Sequence, residues 1–595
     1  MPQTEEEVDT RLPYRVGCPK LPVLPVKTDV QSGDLDRCIP NFAYHAREIQ
    51  GLLSKYDIPL LGLYFAHRMN DGIEATDRYL TLVLLSQYTH DCQSQWIQAV
   101  KEVRIGLGNA GINYTIELID MQAFLAPLRT LPILSTDRDI IEGWNKILPD
   151  CLATIADRAW VAIDVVHRKI PPDQTQPTVV ISAQDANEDT WWVSTLPTLR
   201  RLLQANNLTM DIVLLFHKGP NITIASSSKP QNKSTPHYSL EGSFYDDVLQ
   251  MGTSCGTSGS PFSGTLGGGI KLQNESIILE LGLTNYHVLR EAFADQHLSV
   301  GPFSPSTGHP YETVVSPSDS DHTSTVQRLE VSEEDTEDRI KQISQSLENL
   351  AQDDPKWKTM DAKRKLVYLE QETLRQRRKI TETSRDIGNV YAASGFGICK
   401  NQRYGIEDSK DWALDWCLVQ MDPLKSISRS LKDLTWRTVY NRPRTEVTEY
   451  CSISPMKNHA VLKRGRTTGW TKGIISAIDS VVNVQDQPNF LPKVPTHQRT
   501  LMRRKWKETV AFVHAIFGTS EVPQFMEAGD SGSLVLLDRS PQSSRVSIIG
   551  LSFAANNATY ASYMMPMDLI VENIEAVTGG KVIEPRNGGS VEDPE

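Results

Sequence analysis

Apolar and polar positions along this chain follow two rhythms. Between residues 43 and 217, short apolar runs alternate with stretches of helical spacing. Leu80-Thr-Leu-Val-Leu-Leu-Ser86 is apolar on both faces of an extended chain and predicts a buried strand. Trp96 to Leu107 has helical spacing, and Tyr114-Thr-Ile-Glu-Leu-Ile-Asp120 alternates as a strand. The order then repeats: Thr178-Val-Val-Ile-Ser182 as strand, Leu196 to Ala205 as helix, Met210-Asp-Ile-Val-Leu-Leu-Phe216 as strand. Two strand–helix–strand units of similar length predict an α/β domain over 43–217 with the look of a duplication. No glycine-rich phosphate loop joins a strand to a helix there, so no nucleotide is assigned to it.

The flanks of that domain read differently. Residues 1–42 are rich in proline and charge and predict an arm, ordered on contact or flexible, with the flexible arm preferred. Residues 218–245 contain Ser226-Ser-Ser-Lys-Pro-Gln-Asn-Lys-Ser-Thr-Pro236, a polar, proline-punctuated linker and a natural site of proteolysis. From 246 to 577 the texture is short strands and glycine turns, which predicts an all-β barrel or sandwich, and 578–595 predicts a flexible tail.

One stretch of the β region, about 328–387, breaks its texture. It is glycine-poor and rich in Glu, Lys, Arg and Gln, with Ile340, Ile343, Leu347 and Leu350 at helical spacing. Asp353-Asp-Pro355 interrupts, and a second helix is expected from about Asp361, giving an inserted helical hairpin. The acidic run Glu333, Glu334, Asp335, Glu337, Asp338 suits a helix start, and Arg375, Arg377, Arg378, Lys379 suits a helix end. A solvated helix end is favoured over a binding patch for that basic run.

Composition narrows the class. The length of 595 residues sets a prior of about three to four domains, which the pattern reduces to two plus an insertion. Hydrophobic residues at 39% and charged residues at 23% are those of a soluble globular protein. The net charge of −12 argues against a nucleic-acid surface spread over the molecule, and no stretch is apolar enough to span a bilayer. The acidic start is neither a secretory signal nor a transit peptide, so an intracellular place, cytoplasmic or nuclear, is expected. The eight cysteines are scattered without a C-x-x-C pair, which predicts free thiols and offers no zinc site. Without a secretory signal, triplets such as Asn221-Ile-Thr carry no weight as glycosylation sites.

Candidate chemistry lies in three places, all in the β region. Gly529-Asp530-Ser531-Gly532-Ser533 precedes the strand Leu534-Val-Leu-Leu537. A serine hydroxyl is a weak nucleophile until a base takes its proton, and an acyl-transfer intermediate needs donors for its oxyanion. A tight glycine turn offers them as the N–H groups of Gly529 and Ser531. Ile277-Ile-Leu-Glu-Leu-Gly-Leu-Thr-Asn-Tyr-His287 is a β-run ending at a histidine, a general base if it meets a nucleophile and an orienting carboxylate. In Ala413-Leu-Asp415-Trp-Cys-Leu-Val-Gln-Met421, an aspartate within an apolar strand is costly to bury unless it accepts a histidine N–H. Asp411 is the rival carboxylate; Asp415 is preferred because the residues after it stay apolar.

With these motifs the chain resembles the chymotrypsin/trypsin-like serine peptidases, over about 250–575 apart from the insertion. Leu-Thr-Asn-Tyr-His287-Val, Asp415-Trp-Cys-Leu and Gly529-Asp-Ser531-Gly echo that family's histidine motif, aspartate strand and serine loop. Ser263-Gly-Thr-Leu-Gly-Gly268 resembles its glycine-rich opening strand. Lys463-Arg-Gly-Arg-Thr-Thr-Gly-Trp-Thr-Lys-Gly-Ile-Ile-Ser476 resembles a hairpin of the intracellular, disulfide-poor branches, fungal trypsin-like proteins among them and more loosely the HtrA-like proteases. Ser533 stands where digestive enzymes carry a second glycine, Cys417 where alanine is usual, and valine rather than cysteine follows His287.

The resemblance implies a multidomain chain: an N-terminal α/β domain, then a chymotrypsin-like double β-barrel with an inserted helical hairpin. It implies a serine endopeptidase with His287, Asp415 and Ser531 as triad, Gly529 and Ser531 as oxyanion donors, and no cofactor or metal. Phe525, Ser552 and Ala554 would shape the substrate pocket. None is acidic, so a small or apolar residue is expected at the cleavage position of the protein or peptide substrate. The N-terminal domain and linker resemble the layout of fungal proteases with an N-terminal regulatory segment. Self-cleavage in the linker or near Met251-Gly-Thr-Ser254 is then expected. The alternative is a peptidase-fold scaffold or interaction protein without activity.

Overall fold

The computed structural model describes residues 7–30, 39–90, 92–218, 223–224, 245–290, 313–401, 410–429, 431, 446–453, 458–483, 510–538 and 546–590. The chain divides into two compact units. The first takes Met1–Ile222, Ser476–Val510 and Asn556–Ala561; the second takes Thr223–Ile475, Ala511–Ala555 and Ser562–Glu595. The division therefore does not follow chain order.

In the first unit, a six-stranded sheet runs in the order Asp9–Leu12, Arg15–Cys18, Thr115–Asp120, Leu80–Ser86, Gly62–Met69, Lys27–Val30. Leu80–Ser86 and Thr115–Asp120 are parallel. The helix Gln93–Asn109 connects them and buries Trp96, Ala99, Val100, Val103 and Leu107 along one stripe. The second expected unit is also present: Gln174–Ala183 and Asp211–Phe216 pair in parallel across the helix Leu196–Ala205. They belong to a different sheet, in which Gln174–Ala183 pairs antiparallel with the long strand Trp160–Ile170.

Residues 1–42, expected as a flexible arm, carry three of the six strands instead. The prolines stand between these strands rather than within them, and Arg15 is held by a buried carboxylate. That carboxylate, Glu117, accepts from Arg15 Nε at 2.6 Å and from Arg68 Nε and Nη2 at 2.8 Å each. Burial alone would push it up, but the two guanidiniums outweigh burial and hold it at about 2. Its folded value lies below its unfolded one, so its contribution to stability is complete above about pH 4.5 and is lost as pH falls towards 2. Glu117→Gln is expected to cost about 3–5 kcal/mol, because two guanidiniums stay buried beside a neutral amide. Urea unfolding at pH 7 checks this, and the difference from wild type should shrink towards pH 3.

A second buried carboxylate explains why distant segments join this unit. Asp164 accepts from Ser480 Oγ at 2.5 Å, Asn556 Nδ2 at 3.0 Å and Thr559 Oγ1 at 2.9 Å. Beside it, Val481 and Val482 pair antiparallel with Ile163 and Ala162.

The second unit is mostly β. One sheet runs Gly264–Leu266, Thr253–Thr257, Thr313–Val315, Asp386–Ala393, Cys417–Met421, Ile277–Thr284, Gly268–Asn274, Lys581–Glu584. The other includes Ala460–Gly465, Gly469–Ile475, Val510–Gly518, Leu534–Leu537, Val546–Asn556 and Ala561–Pro566. The β structure makes a six-stranded barrel and a curled half-barrel. Cys255 and Cys417 sit in an apolar core with Leu266, Val288 and Val419. Burial pushes the Cys255 thiol up to about 12, so it stays protonated and inert. Residues 578–595, expected as a tail, instead add Lys581–Glu584 to Gly268–Asn274 and Arg586–Ser590 to Val447–Ser452. Val582 is buried there, and Glu584 pairs with Arg429 and Lys271.

The inserted hairpin comprises helices Asp319–Glu348 and Pro355–Thr381 around Ile340, Ile343, Leu347 and Val367. Its first helix starts well before Glu333, at Asp319, where the Ser318 hydroxyl accepts from the Asp321 amide. The acidic run is thus mid-helix and faces the basic run: Arg378 pairs with Glu330 and Glu333, and Arg375 with Glu337. The hairpin leaves the sheet after Thr313–Val315 and returns at Asp386–Ala393, two strands that pair with each other. A long insertion at such a point leaves the barrel's register intact.

Candidate active site

Three separate stretches of the second unit carry the candidate residues; His287 meets Asp415, while the Ser531 hydroxyl is bonded elsewhere. The strand Ile277–Thr284 ends in one helical turn, Tyr286–Leu289, that carries His287. Asn285 Nδ2 donates to the Asp415 carbonyl at 2.6 Å, and the His287 amide donates to Asp415 Oδ1 at 3.0 Å. His287 Nδ1 and Asp415 Oδ2 are 2.5 Å apart, with both side chains almost fully buried.

Asp415 does not lie inside a strand, as expected, but in the break between Lys410–Leu414 and Cys417–Met421. The ladder opens there because the next residue, Trp416, turns its amide to Ser394 Oγ at 2.8 Å and its carbonyl to the Ser394 amide at 2.9 Å. Asp411 sits on the strand Lys410–Leu414, in register with Lys400, and makes no hydrogen bond to His287 among the described residues.

Ser531 lies on a turn leading into Leu534–Leu537. Gly529 has φ +100° and Gly532 φ +95°, a region open at low cost only to glycine. A Cβ at Gly532 would stand 2.1 Å from the Thr265 carbonyl oxygen, so the backbone approach also demands glycine. Asp530, fully buried, organises the turn. It accepts from Lys463 Nζ at 2.9 Å, Thr468 Oγ1 at 2.6 Å, and the amides of Thr467, Thr468 and Glu527 at 2.8, 3.1 and 3.0 Å. Burial works against both charges of the pair, pulling the Lys463 ammonium below its usual range. Against its own burial, Asp530 is held below the usual carboxylate range by Lys463 and the other donors.

Thr265 ties this turn to the histidine. Its amide donates to the Ser531 carbonyl at 2.8 Å, its hydroxyl to the Gly529 carbonyl at 2.9 Å, and its carbonyl accepts from Thr284 Oγ1 at 2.7 Å. Thr284 lies three residues before His287. The amides of Gly529 and Ser531 have no hydrogen-bond partner among the described residues. Ser531 Oγ donates to the Phe553 carbonyl at 2.8 Å, and His287 Nε2 is buried without a hydrogen-bond partner among the described residues.

The residues expected around the substrate divide. Ser552 and Ala554 lie on the strand Val546–Asn556 beside the serine turn, where the Ser552 carbonyl accepts from the Gly532 amide at 2.9 Å. Phe525 packs into the apolar core with Ile453, Val461 and Ile516, under the Lys463 ammonium 5.5 Å from its ring centre. Glu527, half-buried, is pushed above the usual carboxylate range by burial and by Asp530.

Sequence reasoning found the hairpin Ala460–Gly465 and Gly469–Ile475 but not what it does. Lys463 and Thr468 hold Asp530, and Arg466 forms an ion pair with Asp321 in the first turn of the inserted hairpin. The available signal was a lysine at the point where the apolar run Ala460-Val-Leu462 gives way to the basic stretch Lys463-Arg-Gly-Arg466. Among the described residues, no group of three or more His, Cys, Asp or Glu is placed to hold a metal, and no helix is long and apolar enough to cross a membrane.

No protein-family model matches the chain, and no curated protein matches it in sequence. Among solved structures, it is similar to a glutamic acid specific serine protease that utilizes a histidine triad in substrate binding. The two share 12% identity at a TM-score of 0.24, over 56% of this chain and 100% of that one. A likeness that distant carries no weight for chemistry, which rests on this chain's own side chains.

Proposed function

We propose that this chain is a serine endopeptidase that hydrolyses peptide bonds through His287, Asp415 and Ser531. The observation that carries the reading is an imidazole tied to a carboxylate at Nδ1, with its buried Nε2 left unpaired, linked through Thr265 to a glycine turn that bears a serine. Asp415 fixes the tautomer that leaves Nε2 as acceptor and stabilises the imidazolium that forms. Rotation about the Ser531 Cα–Cβ bond frees its hydroxyl from the Phe553 carbonyl. The oxygen then attacks the scissile carbonyl while Nε2 takes the proton. The N–H groups of Gly529 and Ser531 receive the oxyanion. Nε2 returns the proton to the leaving amine, and water hydrolyses the acyl-enzyme by the same route.

The substrate is a protein or peptide with a small or apolar residue at the cleavage position, in an intracellular setting. The first unit acts as a regulatory module, and the chain processes itself. The rival reading, a scaffold without activity, draws on the Ser531 hydroxyl being engaged by Phe553. A fluorophosphonate probe separates the two. Wild type is expected to label and Ser531→Ala to lose all labelling; a wild type that never labels, under native and fully processed conditions, favours the scaffold.

A further inference from the structure

A cavity in the first unit holds a buried cation without a counter-charge. It measures about 140 Å3, and its lining includes Tyr14, Arg68, Phe124, Leu125, Arg168 and Leu215. Every residue that lines it belongs to that unit. Its polar side chains differ in what satisfies them. Arg68 gives Nε and Nη2 to Glu117, and Nη1 to Thr28 Oγ1 at 2.5 Å. Arg15 gives Nε to the same carboxylate. Arg168 lies on the strand Trp160–Ile170, on the face that also carries the buried Val166 and Ile170, and is 4% exposed. Its guanidinium stands 5.7 Å from the centre of the Tyr14 ring and makes no hydrogen bond or ion pair among the described residues. The Tyr14 hydroxyl is buried and also has no hydrogen-bond partner among the described residues.

Glu117 thus answers Arg15 and Arg68, and among the described residues no carboxylate answers Arg168. A charge buried in apolar surroundings is costly unless it is paired, and the attraction of an aromatic ring offsets part of that cost. A ligand that brings the missing charge accounts for the rest. We infer that this cavity binds a small monocarboxylic acid, its carboxylate on the Arg168 guanidinium and its hydrocarbon body against Phe124, Leu125 and Leu215. The planar fork of a guanidinium matches a carboxylate with two parallel hydrogen bonds. The inference does not depend on the endopeptidase reading.

Size and charge narrow the ligand. A protein cavity of roughly 150 Å3 holds one benzene ring, so an acid with a body of about that size fits. A phosphate brings more charge than one free guanidinium balances, and apolar walls offer it no donors. Leu125 is 67% exposed, which places an apolar residue at the mouth.

Isothermal titration of the full chain with benzoate, phenylacetate and isovalerate, and with their neutral amides, tests the inference. At least one acid is expected to bind one-to-one, and its amide about tenfold more weakly, because a charged acceptor strengthens the bond to a guanidinium. Arg168→Met is expected to lose binding of the acid. It also removes an unpaired buried charge, so its thermal midpoint should equal or exceed that of ligand-free wild type. Leu125→Asp alters an exposed position, keeps the fold, and should weaken the acid several-fold by placing a like charge at the mouth. No binding by any of the three acids, amides that bind as well as the acids, or undiminished binding in Arg168→Met overturns the inference. A midpoint of Arg168→Met well below wild type, with unchanged binding in Leu125→Asp, makes Arg168 a structural cation and overturns it as well. Inorganic phosphate that binds in place of the acids, and is lost in Arg168→Met, overturns the carboxylate assignment.

Discussion

Asp415→Asn is expected to lower turnover about 10,000-fold while leaving KM nearly unchanged, the effect this substitution has in a serine-peptidase triad. The cause is the tautomer. Asp415 accepts from the His287 amide through Oδ1 at 3.0 Å and meets Nδ1 through Oδ2 at 2.5 Å. An asparagine keeps the first bond, which holds the loop. It then presents its NH2 to Nδ1, which forces the ring proton onto Nε2. A protonated Nε2 cannot accept the serine proton. Asp411→Asn serves as the control, because Asp411 makes no hydrogen bond to His287 among the described residues. It should keep near wild-type kcat. Equal losses in the two variants, with circular dichroism unchanged, would remove Asp415 from its proposed role.

Lys463→Met is expected to cost the second unit about 3–5 kcal/mol and to abolish fluorophosphonate labelling. Removing one partner of a buried ion pair leaves the other charge uncompensated. Both side chains of the Lys463–Asp530 pair are fully buried. Asp530 is joined on either side to Gly529 and Ser531, so any relief it finds moves the two amides proposed to receive the oxyanion. The pH dependence has a definite sign. The folded-state value of Asp530 is depressed, so its stabilisation is present above the unfolded carboxylate value and is lost as pH falls through the folded one. Urea unfolding of wild type and Lys463→Met at pH 7 and pH 3 should show the larger gap at pH 7. Equal midpoints and full labelling in Lys463→Met would show that the turn stands without the lysine. Lys463→Met with Asp530→Asn should regain stability, since no charge is then stranded.

Local patterns proved legible where the physics is local. Both strand–helix–strand units could be read from apolar runs and 3.6-residue spacing, because a crossover helix and its flanking strands are consecutive in the chain. The helical insertion was legible in its glycine-free, charged composition, yet its start was missed. A charge run looks the same whether it meets a helix dipole or an opposite run across a hairpin, and only the pairing of Arg378 with Glu330 and Glu333 distinguishes them. The arm and the tail were misjudged for a related reason. Their composition is that of exposed chain, but their hydrogen-bonding partners lie far away in sequence, at Thr115–Asp120 for one and at Gly268–Asn274 and Val447–Ser452 for the other.

By itself, the sequence determined which groups are available for chemistry: a histidine at a strand end, an aspartate in an apolar setting and a serine between glycines. Those are properties of residue type and of neighbours a few positions away. Only the tertiary structure decided which partner each one takes. It set Asp415 rather than Asp411 against His287, gave Asp530 to Lys463, turned Ser531 towards Phe553 and laid Thr223–Ile224 along Val546–Asn556. Each of these is a contact across 67 to 332 residues or the choice of a rotamer, and such choices are made by closing the barrel rather than by any local preference.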